Sequence, residues 1–327
     1  MLRRPLTKLC SDSEKEGGGA ACRGRRPFHH KEKLMKRGHK KKISLVSYLF
    51  ILPALILNLM FFVFPFLQSL LMSFYDWPVL GEKTFVFLDN YIKLFQDSQF
   101  WNSLLFTMKY AVFVTPCLFI LAFILALMIN GAFKGVNLFR SLYFAPVVIS
   151  MTCCSMVWLW IYNDLYGVLN YLLQTLGIVQ DPVLWMNSAK TSLPAVIFMV
   201  TWKMAGFSML IILAAFQSVD EQIYEAASVD GANKVKQFFR ITLPIIKPHA
   251  ALALILSVIG SVLAFEQFLI MTKGGPAQDT TTIVHYIYNT SFKYFKMGYG
   301  SAMTMILLLV LGILSCFENK VLQDPTK

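Results

Sequence analysis

At 327 residues, with 56% hydrophobic, 14% aromatic and only 15% charged residues, the chain is far more apolar than a water-soluble protein of its length requires, which excludes an ordinary soluble domain. Its formal charge of +12 is concentrated, because Met1 to Lys42 holds 14 Lys and Arg against 4 Asp and Glu and the remainder is nearly neutral. That basic tail runs straight into a long apolar segment with no nucleic-acid fold signature, which argues against nucleic acid as a partner. The six cysteines (Cys10, Cys22, Cys117, Cys153, Cys154, Cys316) have no metal-ligand spacing; the last four lie in apolar stretches, where small buried side chains are expected.

A hydrocarbon core about 30 Å thick needs about 20 helical residues, with every backbone polar group satisfied inside the segment. Uncharged runs therefore mark the spans in chain order. Lys42 to Asp76 encloses 33 such residues, Lys109 to Lys134 encloses 24, and Arg140 to Asp164 encloses 23. Lys190 to Asp220 is interrupted only by Lys203, Lys247 to Glu266 encloses 18 and continues to Met271, and Lys296 to Glu318 encloses 21. The fold class expected is all-α: a polytopic membrane protein with six transmembrane helices. A basic tail occupies 1–42, the transmembrane domain 43–318, a loop 219–248 lies within it, and a short tail follows at 319–327.

Cytoplasmic segments retain Lys and Arg. With the amino terminus inside, 22 of these residues fall on the cytoplasmic side and 6 outside, so both termini are expected in the cytoplasm. The tail carries much of that signal. Met35 begins a short basic flank, Met35 to Lys42, that would itself suffice, so translation from Met35 is one expectation for the tail. A polybasic segment touching anionic membrane lipid is the other.

The loop 219–248 is the most informative stretch. Glu225 to Val229 favours a short helix, Gly231 permits a turn, and Lys234 to Ile241 resumes helix until Pro244 and Pro248 limit it. Ala226 and Ala227 leave a low-relief surface that another protein can approach, while Glu225 and Asp230 offer charge to basic partner residues. Phe238, Phe239 and Ile241 are expected to anchor the loop beneath its own helices.

Glu225-Ala226-Ala227, then Gly231, then Ile241-Thr242-Leu243-Pro244 resembles, without a gap, the signature of binding-protein-dependent importer permeases. Leu52-Pro53-Ala54, Asp89-Asn90-Tyr91, Phe139 to Pro146, Gly167 to Asn170 and Thr272-Lys273-Gly274-Gly275-Pro276 are similar to the carbohydrate-uptake branch, the maltose and glycerol-phosphate type, from about Leu45 to Phe317. The resemblance implies a bacterial cytoplasmic-membrane subunit that moves an oligosaccharide or related sugar by alternating access. It implies that the loop is a coupling helix seated on a separate ATPase, with contact roles for Glu225, Ala226, Ala227, Asp230, Gly231, Ala232, Ile241, Leu243 and Pro244. It also implies the partners: a second, related permease chain in a heterodimer, two ATPase copies that bind ATP and Mg, and an extracellular solute-binding protein met by outer loops such as Gly274-Gly275-Pro276. A purely structural turn is the other reading of that glycine pair.

Charged groups inside apolar helices cost about 2.5–3.5 kcal/mol each on insertion scales and so face a cavity or a partner. Lys203 and Glu266 are such groups. With Trp202, and with Asn163 and Trp158 as additions, they supply the aromatic faces and polar groups that a sugar path needs. The alternative is a buried Lys203–Glu266 ion pair joining two spans. Trp158, Trp160 and Trp185 are also readable as interface-belt residues.

No phosphate loop, nucleophile–base pair or metal cluster is present in the sequence, so the chain is expected to be a transport subunit without a cofactor of its own. An ion-coupled secondary transporter would call for broken helices in related positions of two halves and mid-membrane ion ligands, and the sequence shows neither. A permease for another small solute is the alternative by substrate.

Overall fold

The computed structural model describes residues 45–79, 81–131, 134–276 and 278–322. The expectations for the basic tail, for Met35 and for Cys10 and Cys22 lie outside the described residues. The chain divides into two compact units, 1–57 and 58–327.

Helix α1 (Leu45–Asn58) is followed by a π-helical turn, Leu59–Val63, and by α2 (Phe64–Met72). A short hairpin, β1 (Tyr75–Asp76) with β2 (Thr84–Phe85), pairs Tyr75 with Phe85 in antiparallel register. The amphipathic α3 (Asp89–Gln96) leads into the long α4 (Ser98–Ile129). Then come α5 (Val136–Val148), α6 (Met151–Ile161), α7 (Val168–Thr175) and α8 (Ala189–Gln217). The short α9 (Glu221–Val229) and α10 (Lys234–Gln237) precede a second π turn, Phe238–Thr242, and α11 (Leu243–Val262). The chain closes with α12 (Glu266–Met271), α13 (Ile283–Tyr288), a third π turn, Asn289–Lys293, and α14 (Met297–Leu322).

Five segments are long and apolar enough to cross a bilayer: Leu49–Met72, Ser98–Ile129, Lys190–Gln217, Lys234–Met271 and Met297–Glu318. The third expected span is not a single rod. Helices α5 and α6 bend by 94° across Ile149 and Ser150, so six spans result only if that pair counts as one. Ile149 is extended, and Ser150 starts α6 by accepting the Cys153 backbone N–H at 3.1 Å. A broken helix therefore exists where the uncharged run predicts continuity, and it is the one such pair among the described residues.

The expected stop at Pro244 and Pro248 is also overturned, because helix continues through both. In the π turn the Leu243 N–H reaches back five residues to the Phe238 carbonyl. Pro244 directly follows this wider turn as the second residue of α11.

Helices α4 and α8 form the centre. Ala122 and Ala126 on α4 are small enough for close packing, and Met209, Ile212 and Phe216 of α8 fill the space with Ile246 and Ala253 of α11. At the opposite end, Tyr110 and Val114 meet Val196, Met199 and Phe268. Asp97 starts α4 by accepting the Gln99 and Phe100 backbone N–H groups. Its second oxygen accepts the hydroxyls of Tyr286 and Tyr299, each at 2.7 Å, which ties the start of α4 to α13 and to the start of α14. The buried-cysteine expectation holds for Cys154 alone; Cys117, Cys153 and Cys316 are exposed on the helix surfaces.

Candidate functional site

The segment between α8 and α11 folds as a capped helix–turn–helix. Asp220 begins α9 by accepting the Gln222 N–H at 3.0 Å, and Asn233 begins α10 by accepting the Lys236 N–H at 2.8 Å. Helix α9 ends in two backbone bonds, Ala232 N–H to the Ala227 carbonyl and Gly231 N–H to the Ser228 carbonyl. This is the Schellman geometry, and it requires Gly231 in the left-handed region, at φ +76. The Gln237 amide then donates to Ser228 Oγ at 2.8 Å and to the Ala232 carbonyl at 3.1 Å, and Tyr224 shares a 2.8 Å hydroxyl bond with Thr242. Gln237 and Tyr224 set the angle between the two short helices, and nothing in their spacing marks them for that role.

Glu225, Ala226, Asp230 and Gly231 are exposed, Ala227, Ala232 and Ile241 are half-buried, and Leu243 and Pro244 are exposed. Val229, 88% exposed, and Val235, 64% exposed, add apolar surface beside them. Of the expected anchors, Phe238 packs edge-on against Phe123 of α4 at 6.2 Å. Phe239 corrects the expectation: at 62% exposed it meets the Phe238 ring edge-on at 5.1 Å and is not buried beneath the helices.

Within the bundle, Lys203 and Glu266 do not form the ion pair considered above. Lys203 is 3% exposed and its Nζ donates to the carbonyls of Ile149 (2.7 Å), Pro146 and Val147 (both 3.3 Å). Those carbonyls lie at the end of α5, where no further turn accepts their bonds, and the ammonium also meets the negative end of the helix dipole. Glu266 is exposed at the start of α12 and accepts the Thr152 hydroxyl at 2.8 Å. Trp158 lies among Tyr162, Phe198 and Trp202, its ring 5.5 Å from that of Trp202. Trp185 donates to Asn170 Oδ1 at 2.9 Å, so Trp158 and Trp185 are packed residues, whereas Trp160 is exposed as a belt residue would be. Asn163 spends its side-chain oxygen on the N–H groups of Leu165 and Tyr166, closing the turn after α6.

A small, mainly apolar cavity of about 110 Å³ with a few polar side chains, which no sequence motif marks, lies among α4, α8 and α11 and is closed by Met151 and Gln267. Ser257, Ser261, Ser208, Tyr110 and Gln267 line it, and the Gln267 amide donates to the Tyr110 hydroxyl at 3.5 Å. Ser257 and Ser261, one turn apart in an apolar helix, were the available signal.

On the far side from α9, Thr272 to Thr282 folds back on itself. Gly274, at φ +82, is buried; an added Cβ would stand 2.7 Å from Thr281 Oγ1. Thr280 Oγ1 donates to the Gly275 carbonyl at 2.6 Å, and Pro276 is exposed. His285 lies beneath, 2% exposed, with Nδ1 unpartnered among the described residues. Burial, and secondarily Lys293, hold its imidazole below the ordinary range. Among the described residues, no group of three His, Cys, Asp or Glu is placed to hold a metal ion.

A family model described as the binding-protein-dependent transport system inner membrane component matches residues 91–323. The lactose transport system permease protein LacF of Rhizobium radiobacter is 32% identical over 283 residues, covering 85% of this chain and 94% of LacF. The arabinooligosaccharides transport system permease protein AraP of Bacillus subtilis is 32% identical, covering 84% and 87%. Among solved structures, a bacterial ABC transporter involved in the import of the acidic polysaccharide alginate is similar with a TM-score of 0.75 and 27% identity, covering 86% of this chain and 96% of that one.

Proposed function

The chain belongs to the family of binding-protein-dependent transport system inner membrane components, and from that membership we propose that its cargo is an oligosaccharide or a related sugar. It is a multi-pass permease subunit of an ABC importer and not itself an ATPase. The cargo reading is supported by relatives named for lactose and for arabinooligosaccharides, and by the similar alginate importer.

In this reading the α9 element faces the cytoplasm, both termini lie on that side of a bacterial cytoplasmic membrane, and α9 docks on a separate subunit that binds ATP and Mg. Two copies of that ATPase serve a heterodimer of this chain and a related permease. The observation that carries the docking reading is the exposed, doubly capped α9, held by Gln237 against α10, which itself runs through the π turn into α11 without a break. Displacement of α9 therefore passes through the Gln237 and Tyr224–Thr242 hydrogen bonds into the continuous α10–α11 segment and its cavity-lining serines.

The solute path in this reading runs past Gln267, Ser257 and Ser261, with Glu266 and Trp202 at its exposed margin. Lys203, Asn163 and Trp158 shape the path by fixing the helix break and the turn after α6. The loop around Gly274, Gly275 and Pro276 meets the solute-binding protein, presenting Pro276 while the buried threonines hold its shape.

Reconstitution of the chain with its permease, ATPase and binding-protein partners tests the cargo. Binding protein loaded with an oligosaccharide is expected to stimulate ATP hydrolysis and solute uptake. Stimulation by amino acids, with none by any oligosaccharide, would reject the sugar assignment.

A further inference from the structure

A second concavity, unused by the solute reading, lies between the halves of α4 and α8 remote from α9. It is an open groove of about 1060 Å³. Leu105, Phe113, Ile197 and Phe198 make its walls apolar, and Thr201, whose buried Oγ1 has no partner among the described residues, lines its inner part. Lys109 stands among these apolar side chains. It is exposed and, among the described residues, makes no hydrogen bond or ion pair. Lys190, Gln99 and Asn102 add polar groups towards the helix starts, and Asp279 is the one carboxylate of the lining, too far from either lysine for an ion pair.

Depth decides what such a lysine meets. The uncharged run that supplies this span begins after Lys109 and is 24 residues long, about 36 Å at 1.5 Å each, enough for the 30 Å hydrocarbon core without the residues that precede it. Lys109 therefore stands at the hydrocarbon edge remote from α9, about one side-chain length from the phosphate level. A lysine stem bridges that depth along an apolar wall and delivers its ammonium to the phosphate level. An unpaired ammonium there needs an anion, and two lysines against one aspartate leave the groove cationic.

The geometry points to a binding site for an anionic phospholipid from the leaflet opposite α9, with its phosphate at Lys109 and Lys190 and an acyl chain along Phe113 and Ile197. Apolar walls below and cationic groups above match a lipid rather than a sugar, whose hydroxyls would find few partners beside those walls.

The test uses the complete importer in nanodiscs of mixed phosphatidylcholine and phosphatidylglycerol, with retained lipid counted by native mass spectrometry. Wild type is expected to retain phosphatidylglycerol in preference to phosphatidylcholine, Lys109→Gln to lower that preference about fivefold, and Lys109→Arg to keep it. Equal retention of the two lipids by wild type, or an unchanged preference in Lys109→Gln, overturns the site. A photo-crosslinking residue at Ile197 supplies a readout that needs no charge variant. A phospholipid adduct supports the proposal, and an adduct to a neighbouring subunit alone shows that protein fills the groove and overturns it.

Discussion

Lys203 donates to the Ile149 carbonyl at 2.7 Å and so caps the helix that breaks beside it. Two elements far apart in sequence meet there, because α8 supplies the cation and α5 the exposed carbonyls. Replacing the lysine with an apolar side chain leaves those carbonyls without their charged donor. Lys203→Met is expected to lower stability by about 1.5–3 kcal/mol, and Lys203→Arg by less. Thermal unfolding of the detergent-solubilised complex measures this, and an unchanged midpoint for Lys203→Met would remove the capping role.

Gly231 occupies a left-handed position with open space around it, so the cost of a side chain there comes from the backbone and not from a clash. Gly231→Ala is expected to destabilise the end of α9 by about 1–2 kcal/mol. Hydrogen exchange should then quicken at the amides of Gly231 and Ala232 while the α4–α8 core keeps its protection. Gln237→Ala should loosen the same element, since one amide holds both Ser228 and Ala232.

His285 gives a pH signature. Its imidazole is held below the ordinary range, so the folded loop keeps it neutral while the unfolded loop takes up a proton near pH 6.5. Stability from this group is full above that pH and falls as the pH drops below it. Lys293, with the Phe265 ring and the Thr281 side of the loop around it, offers no carboxylate to offset the charge. Exchange at Thr272 to Thr282 should accelerate between pH 7.5 and pH 5.5, about the ordinary histidine value, and His285→Gln should abolish that acceleration.

For the solute path, Gln267→Ala and the double change Ser257→Ala with Ser261→Ala are expected to alter transport while the ATPase stays attached. Loss of one or two hydrogen bonds predicts an increase of roughly tenfold in the half-saturating solute concentration for uptake. Glu266→Ala should also change uptake. Wild-type kinetics in the Gln267 and double-serine variants would exclude this cavity, and in Glu266→Ala would remove Glu266 from the solute path.

How much of this was legible follows from the range of the forces involved. Membrane spans are set by local apolar length, so the runs beginning after Lys109, Lys190 and Lys296 could be read directly. The α9 turn was legible for the same reason: Gly231 and its flanking alanines act within one helical turn. The bend at Ile149 was not, because it depends on Lys203, which is 54 residues away and satisfies the freed carbonyls. Phe239 was misjudged because adjacent residues of a helix point about 100° apart, so Phe238 and Phe239 cannot both face α4. The cavity at Gln267 needed three helices in register, which no single segment encodes.

The central claim is that α9 is where a separate ATPase drives this permease, and cysteine cross-linking from Ala226→Cys tests it most directly. In the assembled importer, a cross-link to the ATPase subunit is predicted, weakened by Glu225→Lys. Labelling of that cysteine by an impermeant reagent from outside intact cells, or cross-links to the solute-binding protein in place of the ATPase, would contradict the account.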